Sequence, residues 1–161
     1  MSIRKIVTEG DEILTKKSHP VTKFDHKLHA LLDDMTDTLR DADGVGLAAV
    51  QVGILRRAVL VINEKDEVIE LINPVIVEAY GTQDGLEGCL SVPGIYGQVK
   101  RPMHVKVRAQ DRFGSTFETE DEGITARCFC HEIEHLDGHL FKERATALYT
   151  LEELEEAERE G

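Results

Sequence analysis

The chain has 161 residues, of which 41% are hydrophobic and 31% charged, as is usual for one compact globular domain. Its net charge of −12 argues against a nucleic-acid partner, and no stretch reaches the roughly 18 consecutive apolar residues of a membrane helix. The first ten residues contain no apolar run behind a basic start, so we expect no secretory signal, no membrane partner and a cytoplasmic location.

The first regular element predicted along the chain is an amphipathic helix at residues 23–40. Its apolar residues recur at helical spacing and are Phe24, Leu28, Leu31, Leu32, Met35 and Leu39. Residues 43–46 follow and contain two glycines, which predicts a sterically open loop.

Four later segments are β-branched, or alternate between apolar and polar residues, which predicts strands at residues 58–62, 68–77, 105–110 and 115–120. Pro74 interrupts the second segment and should lie at a sheet edge or a bulge. Phe113-Gly114 predicts a turn between the last two strands. Residues 124–136 return to a helical pattern. The predicted fold is therefore α+β, with mostly antiparallel sheets around a C-terminal helix.

This second helix contains the sequence HEIEH, from His131 to His135, which matches the HExxH pattern. On a helix the two histidines lie one turn apart on the same face, so both imidazoles can bind one metal ion. Glu132 lies beside them and can reach a water on that ion. Since His and Glu are also common on helix surfaces, two solvated histidines remain the alternative interpretation.

A catalytic zinc-type site needs a third protein ligand and an open position for water. A third histidine six residues after His135 is excluded, because that position is Phe141. Glu155 lies about twenty residues downstream, inside a glutamate run where a match is expected by chance. Cys89 could supply a thiolate, which suits borderline-soft divalent ions, although an unpaired cysteine is more often part of a core.

Three segments form a joint pattern: residues 44–51 (GVGLAAVQ), 87–91 (EGCLS) and 131–138 (HEIEHLDG). Together, and in this order, they resemble the peptide deformylase family. The resemblance covers about residues 3–144 and implies a single metallohydrolase domain over residues 1–161. It does not extend to the acidic C-terminal tail, residues 145–161.

The resemblance implies a hydrolase that removes the N-formyl group from the N-terminal methionine of newly made peptides and releases formate. Cys89, His131 and His135 would bind one divalent metal ion, typically Fe(II) in this family, with zinc, nickel or cobalt also able to occupy the site. Three alternatives remain: an amidohydrolase for another small N-acyl substrate, an endopeptidase, and a chain in which metal serves structure alone.

The same resemblance implies roles for residues around the metal. Glu132 would be the general base and then the acid, while the side-chain amide of Gln51 and the backbone N–H of Leu90 would form the oxyanion hole. Formyl-methionyl peptides would contact residues that line the site, namely Gly44, Val45, Gly46, Gly88, Ile124 and Cys128. The glycines would let an extended peptide approach the backbone, and the others would lie near the methionine pocket.

Other positions match the family as supporting residues or depart from it. Glu87 and Arg101 match an ion pair that supports the cysteine loop. Cys130 stands where a glutamine is usual, and we expect it to pack rather than bind metal; Glu134 replaces a more frequent aspartate. Some members dock on the ribosome through a basic C-terminal extension. Residues 151–161 instead carry six glutamates and one arginine, which argues against such docking and predicts a solvated acidic helix end.

Overall fold

The described part of the chain, residues 2–160 of a computed structural model, contains three α-helices, three short 3-10 helices and eight strands. The α-helices are α1 (His26–Asp41), α2 (Gly123–His135) and α3 (Leu151–Glu160). The strands are β1 (Gly46–Ala48), β2 (Ala58–Ile62), β3 (Val68–Tyr80), β4 (Gln83–Cys89), β5 (Val92–Arg101), β6 (His104–Gln110), β7 (Thr116–Glu122) and β8 (Ala147–Thr150). Over the same range, no helix combines the length and the apolar character that crossing a membrane requires.

The strands form two antiparallel sheets. One has five strands in the order β1-β2-β3-β6-β7, and the other has three in the order β4-β5-β8. Helix α2, which contains the HExxH sequence, packs against the five-stranded sheet and buries every residue from Thr125 to Ile133. The α+β prediction with a central C-terminal helix is confirmed.

Strand β2 is buried on both faces and separates two hydrophobic clusters. Its residues Val59 and Val61 pack in the cluster that contains α2, while Ala58 and Leu60 pack in the cluster that contains α1. Burial on both faces explains why this strand is a continuous apolar run rather than an alternating one. The predicted strand at residues 58–62 is confirmed with the same bounds.

Helix α1 begins three residues later than predicted. The carboxylate of Asp25 accepts a hydrogen bond from the backbone N–H of Leu28 at 3.2 Å and so caps the first turn. Phe24 therefore lies before the helix, although it still packs against the same cluster as the helix. Local capping chemistry, rather than the apolar stripe, sets this boundary.

Pro74 lies at a bulge, as predicted. Pairing between β3 and β6 shifts register between Ile72 and Val75, and Asn73 adopts a left-handed conformation with φ 52°. The Asn73 side chain accepts from the Val21 N–H at 2.8 Å and donates to the Val21 carbonyl at 2.9 Å. These two bonds attach the bulge to the segment that contains Val21.

The sequence pattern did not predict β1, β4, β5 or β8, and Gly46, expected in an open loop, is the first residue of β1. Strands β4 and β5 contain glycines and a proline, which are depleted in ordinary strands. Packing explains the glycine at residue 97 on β5, because a Cβ there would lie 2.9 Å from the ring of Phe141. Strand β8 pairs with β5, so the first part of the expected tail is inside the fold. Helix α3 buries no residue, as expected for a solvated acidic end.

Truncating Leu32 to alanine should destabilise the fold through the α1 cluster. Leu32 is 0% exposed, and removing a buried leucine side chain costs about 2–5 kcal/mol through lost burial and the cavity left behind. Urea unfolding followed by circular dichroism measures this change in the free energy of unfolding. Lys27→Ala, at an exposed position of the same helix, should stay within about 0.5 kcal/mol of the parent chain. Equal effects of the two substitutions would contradict the packing described.

Candidate metal centre

One thiol and two imidazoles converge between the two sheets. Helix α2 presents His131 and His135 one turn apart, with ring centroids separated by 5.1 Å. Cys89, at the end of β4, places its Sγ 3.3 Å from Nε2 of His135. One ligand atom from each of the three residues lies within 4.8 Å of the other two. The structure therefore brings together the three residues that the sequence offered as metal ligands.

A tight hairpin aims the cysteine at α2. Cys89 pairs with Val92 across the turn formed by Leu90 and Ser91, and the pairing shifts register between Glu87 and Cys89. Such an irregularity can redirect a side chain at the end of a strand. Both Glu87 and Cys89 reach α2, where the first contacts His131 and the second contacts His135.

Glu87 orients His131. Its Oε1 lies 2.8 Å from Nδ1 of His131, which places the ring hydrogen on Nδ1 and leaves the Nε2 lone pair free for a metal. Arg101 donates to both carboxylate oxygens, at 2.8 and 3.0 Å, so the expected ion pair is present. Burial raises the pKa of Glu87, but the hydrogen bonds from Arg101 and His131 outweigh it and lower that pKa to about 2. Glu87 is therefore an anion at neutral pH.

The two histidines differ in their electrostatics. Burial, reinforced by His131, lowers the pKa of His135 to about 3, so its imidazole is neutral and able to donate a lone pair. Burial also lowers the pKa of His131, but Glu132, Cys89 and Glu87 outweigh it and raise that pKa above its usual value. A divalent cation would compete with that proton, because a ligating imidazole must be neutral.

Glu132 has the surroundings of an acid–base group. Its side chain is buried between α2 and β1, and burial raises its pKa to about 7, close to the value that suits proton transfer at neutral pH. In the described residues, its Oε1 and the Nδ1 of His135 are buried without a hydrogen-bond partner. A buried carboxylate oxygen beside three ligand atoms calls for a polar group between them. A metal ion with its water fits that requirement.

Gln51 and Leu90 lie next to the cysteine. Gln51 is 1% exposed, and its Oε1 accepts from the backbone N–H of Ala48 at 2.9 Å, which fixes the orientation of its amide. Its Nε2 then lies 3.0 Å from Oγ of Ser91 and 3.5 Å from Sγ of Cys89. Leu90 directly follows Cys89 in the hairpin turn. The amide of Gln51 is thus held with its donor group toward the ligand cluster.

A cleft of about 550 Å³ opens onto this cluster. All six residues expected to contact a peptide line it: Gly44, Val45, Gly46, Gly88, Ile124 and Cys128. Cys89, His131 and Glu132 also line the cleft, whereas Gln51 and His135 do not. The side chains of Val45 and Ile124 are 51% and 61% exposed, which makes one part of the wall apolar and accessible.

Packing, besides the approach of a peptide, explains why three positions in the cleft are glycine. A Cβ on Gly46 would lie 2.5 Å from Oε2 of Glu132, and a Cβ on Gly88 would lie 2.8 Å from the ring of Tyr96. Gly44 is similarly close to Leu90, at 3.0 Å from its Cδ1. These positions are glycine because neighbouring side chains occupy the space, which the sequence alone did not reveal.

Sequence reasoning missed Arg127, which lines the cleft and donates from Nη1 to Glu87 at 2.8 Å and to the Val99 carbonyl at 2.9 Å. The sequence signal that could have found it was a charged residue in an otherwise apolar stretch of α2.

Cys130 packs in the hydrophobic cluster, as predicted. Burial raises the pKa of Cys128 to about 12 and that of Cys130 to about 11, so both remain neutral thiols. Glu155 lies on the exposed helix α3, outside the ligand group.

The chain is similar to known proteins over nearly its whole length. It is 53% identical to the peptide deformylase of Caldicellulosiruptor bescii over 161 residues, covering 100% of this chain and 96% of that protein. It is 49% identical to peptide deformylase 1 of Bacillus subtilis over 159 residues, covering 98% of this chain and 99% of the relative.

Solved structures with the same fold include a peptide deformylase from Legionella pneumophila, at a TM-score of 0.85 and 44% identity over 98% of this chain and 92% of that one. A class I type b peptide deformylase from Acinetobacter baumannii, solved with Met-Ala-Ser bound, has a TM-score of 0.83 at 35% identity over 88% of this chain and 98% of that one. The family model for polypeptide deformylase matches residues 3–150, six residues further than the sequence resemblance suggested. The chain belongs to the polypeptide deformylase family.

Proposed function

We propose that this chain hydrolyses the N-terminal formamide of newly made formyl-methionyl peptides, with Cys89, His131 and His135 as the protein ligands of one divalent metal ion. The observation that carries the proposal is the convergence of their three ligand atoms to within 4.8 Å, beside a buried carboxyl group. Membership of the polypeptide deformylase family supports the same reaction.

The donor set fits a first-row transition ion. A thiolate and two imidazoles are borderline-soft ligands, which suit Fe(II), zinc, nickel or cobalt better than calcium or magnesium. We propose Fe(II) as the ion in the cell, by analogy with the family. When bound, such an ion supplies a water of lowered pKa and polarises the formyl oxygen.

The protein side chains handle protons and negative charge. Glu132 takes the proton from the attacking water and later delivers it to the departing amine nitrogen, so that formate and a free N-terminus are released. The Gln51 amide, held by its bond to the Ala48 N–H, and the Leu90 backbone N–H donate to the formyl oxygen as it becomes an anion. The bond to the Ala48 N–H keeps the donor end of the Gln51 amide toward the ligand cluster, where its Nε2 donates to Oγ of Ser91 at 3.0 Å in this structure.

The cleft supplies selectivity for the first side chain of the peptide. Val45, Ile124 and the neutral thiol of Cys128 offer an apolar surface for methionine. The Acinetobacter relative was solved with Met-Ala-Ser bound, which supports a peptide that begins with methionine as the ligand. We place the enzyme in the cytoplasm, where its nascent substrates are made. The acidic surface of α3 gives no support for docking on ribosomal RNA.

Hydrolysis of formyl-Met-Ala, which releases formate, should be much faster than hydrolysis of acetyl-Met-Ala, which would release acetate. The acetyl group adds one methyl where Glu132 and the ligands crowd the carbonyl carbon, and one methyl is worth about 10–200-fold in discrimination. Paired measurements of kcat/KM for the two peptides give this ratio. Equal or faster turnover of the acetyl peptide would favour an amidohydrolase for another acyl group. Cleavage of internal peptide bonds would favour an endopeptidase.

Replacing Cys89 with alanine should reduce the metal content of the purified protein to less than about a tenth of the parent level. A three-ligand site that loses its thiolate keeps only two imidazoles, which hold a divalent ion poorly. Metal analysis after anaerobic purification provides the measurement. Cys130→Ala is the matched control, since it removes a thiol from helix α2, and this protein should retain its metal. Full metal loading of the Cys89→Ala protein would exclude Cys89 as a ligand.

Glu132→Gln should lower kcat by about 10²–10⁴-fold while leaving the fold and the metal content intact, because an amide cannot accept the proton of the attacking water. Single-turnover formate release and metal analysis on the same sample separate the two effects. Glu120→Gln, on the exposed side of β7, is the matched control and should keep the parent rate. A Glu132→Gln protein with near-parent turnover would rule out the proposed base.

A further inference from the structure

We propose that Glu134 and Arg144 are positioning residues for His131, which they reach through Arg101 and Glu87. The inference rests on the proposed metal ligands, because positioning His131 matters only if it binds the ion. It adds two residues to the site that neither line the cleft nor contact the ligand atoms directly.

The inner part of this path is the buried guanidinium of Arg101. Its Nε and Nη2 donate to the two oxygens of Glu87, and its Nη1 donates to Oε1 of Glu134. The Arg101 side chain is only 3% exposed. A buried charge is tolerated when it is paired and its hydrogen-bonding groups are satisfied, and here two carboxylates share that task.

The outer part runs from Glu134 to the segment that follows α2. The second oxygen of Glu134 accepts a hydrogen bond from Nε of Arg144, which comes directly after the short 3-10 turn Phe141–Glu143. The ring of Phe141 also stacks on His131, with centroids 5.8 Å apart and planes inclined by 24°. The turn therefore contacts His131 directly through Phe141 and indirectly through Arg144.

Charge balance shows why Glu134 matters. Arg101 and Arg127 both donate to Glu87, and Glu134 is the second carboxylate in contact with Arg101. If the charge of Glu134 is removed, two buried arginines share one carboxylate. The same Glu87 carboxylate accepts the Nδ1–H of His131, at 2.8 Å. Any shift of Arg101 that pulls Glu87 with it must therefore disturb the orientation of His131.

The test compares the parent protein and its variants after loading with Co(II). One measurement is the rate of Co(II) release into excess chelator, and the other is the visible absorption spectrum, which reports ligand geometry. Glu134→Gln should release Co(II) about tenfold faster and shift the spectrum, as expected for loss of a group that orients a ligand. Glu134→Asp keeps the charge and should remain within about twofold of the parent rate. Arg144→Ala should accelerate release about two- to fivefold, the size expected for a solvent-exposed ion pair.

Arg108→Ala is the matched control for Arg144→Ala. Arg108 is a similarly exposed arginine, paired with Glu118 on the distant strands β6 and β7, and its loss should leave the release rate unchanged. A purely structural role of Glu134 would lower the thermal midpoint without altering the Co(II) spectrum or release rate, and that result would overturn the proposal. If Glu134→Asp releases Co(II) as fast as Glu134→Gln, the role proposed for the negative charge of Glu134 is overturned.

Two further results keep the test decisive. If Glu134→Gln fails to fold, Arg144→Ala decides alone, because its side chain is 60% exposed and its loss leaves no buried charge unpaired. Parent-like release from that variant would then overturn the path. A parent protein that binds no Co(II) would overturn the metal ligands and the positioning path together. A parent that binds Co(II), with variants that do not differ from it, would overturn the positioning path only.

Discussion

The carboxylate of Glu87 is the interaction on which the rest of the site depends. It lies on the small sheet and accepts hydrogen bonds from His131 and Arg127 of α2 and from Arg101 of β5. Removing a carboxylate from water is costly, but three charged or polar donors offset that cost. Since Cys89 is two residues away on the same strand, the contact that orients one histidine also brings the thiol to the other.

Helices and central strands were predictable from the sequence because their signals are local. The apolar stripe of α1, the buried run of β2 and the HExxH spacing of α2 each depend on residues a few positions apart. The proposed third metal ligand could not be predicted from local spacing. Cys89 lies far from His131 in sequence, so spacing left it as one candidate beside Glu155, and only the joint resemblance of three segments favoured it.

The parts that sequence patterns missed all depend on tertiary contacts. Strands β4 and β5 contain four glycines, and at two of them, Gly88 and Gly97, a Cβ would meet the ring of Tyr96 or of Phe141. Strand β8 exists because β5 offers it an edge, a partner that its own four residues do not specify. The bonds that join Glu134 to Arg101 and Arg144 cross between elements and leave no local periodicity.

The contact between Gly46 and Glu132 limits how this enzyme can evolve. Because Gly46 has no side chain, the carboxyl group of Glu132 can lie beside it. A methyl group added at residue 46 would lie only 2.5 Å from Oε2 of Glu132. A common route to drug resistance is to add bulk to a pocket wall until an inhibitor no longer fits. At this part of the wall an added carbon would displace the carboxyl group of Glu132, the proposed acid–base group, so bulk that excludes an inhibitor should also impair turnover.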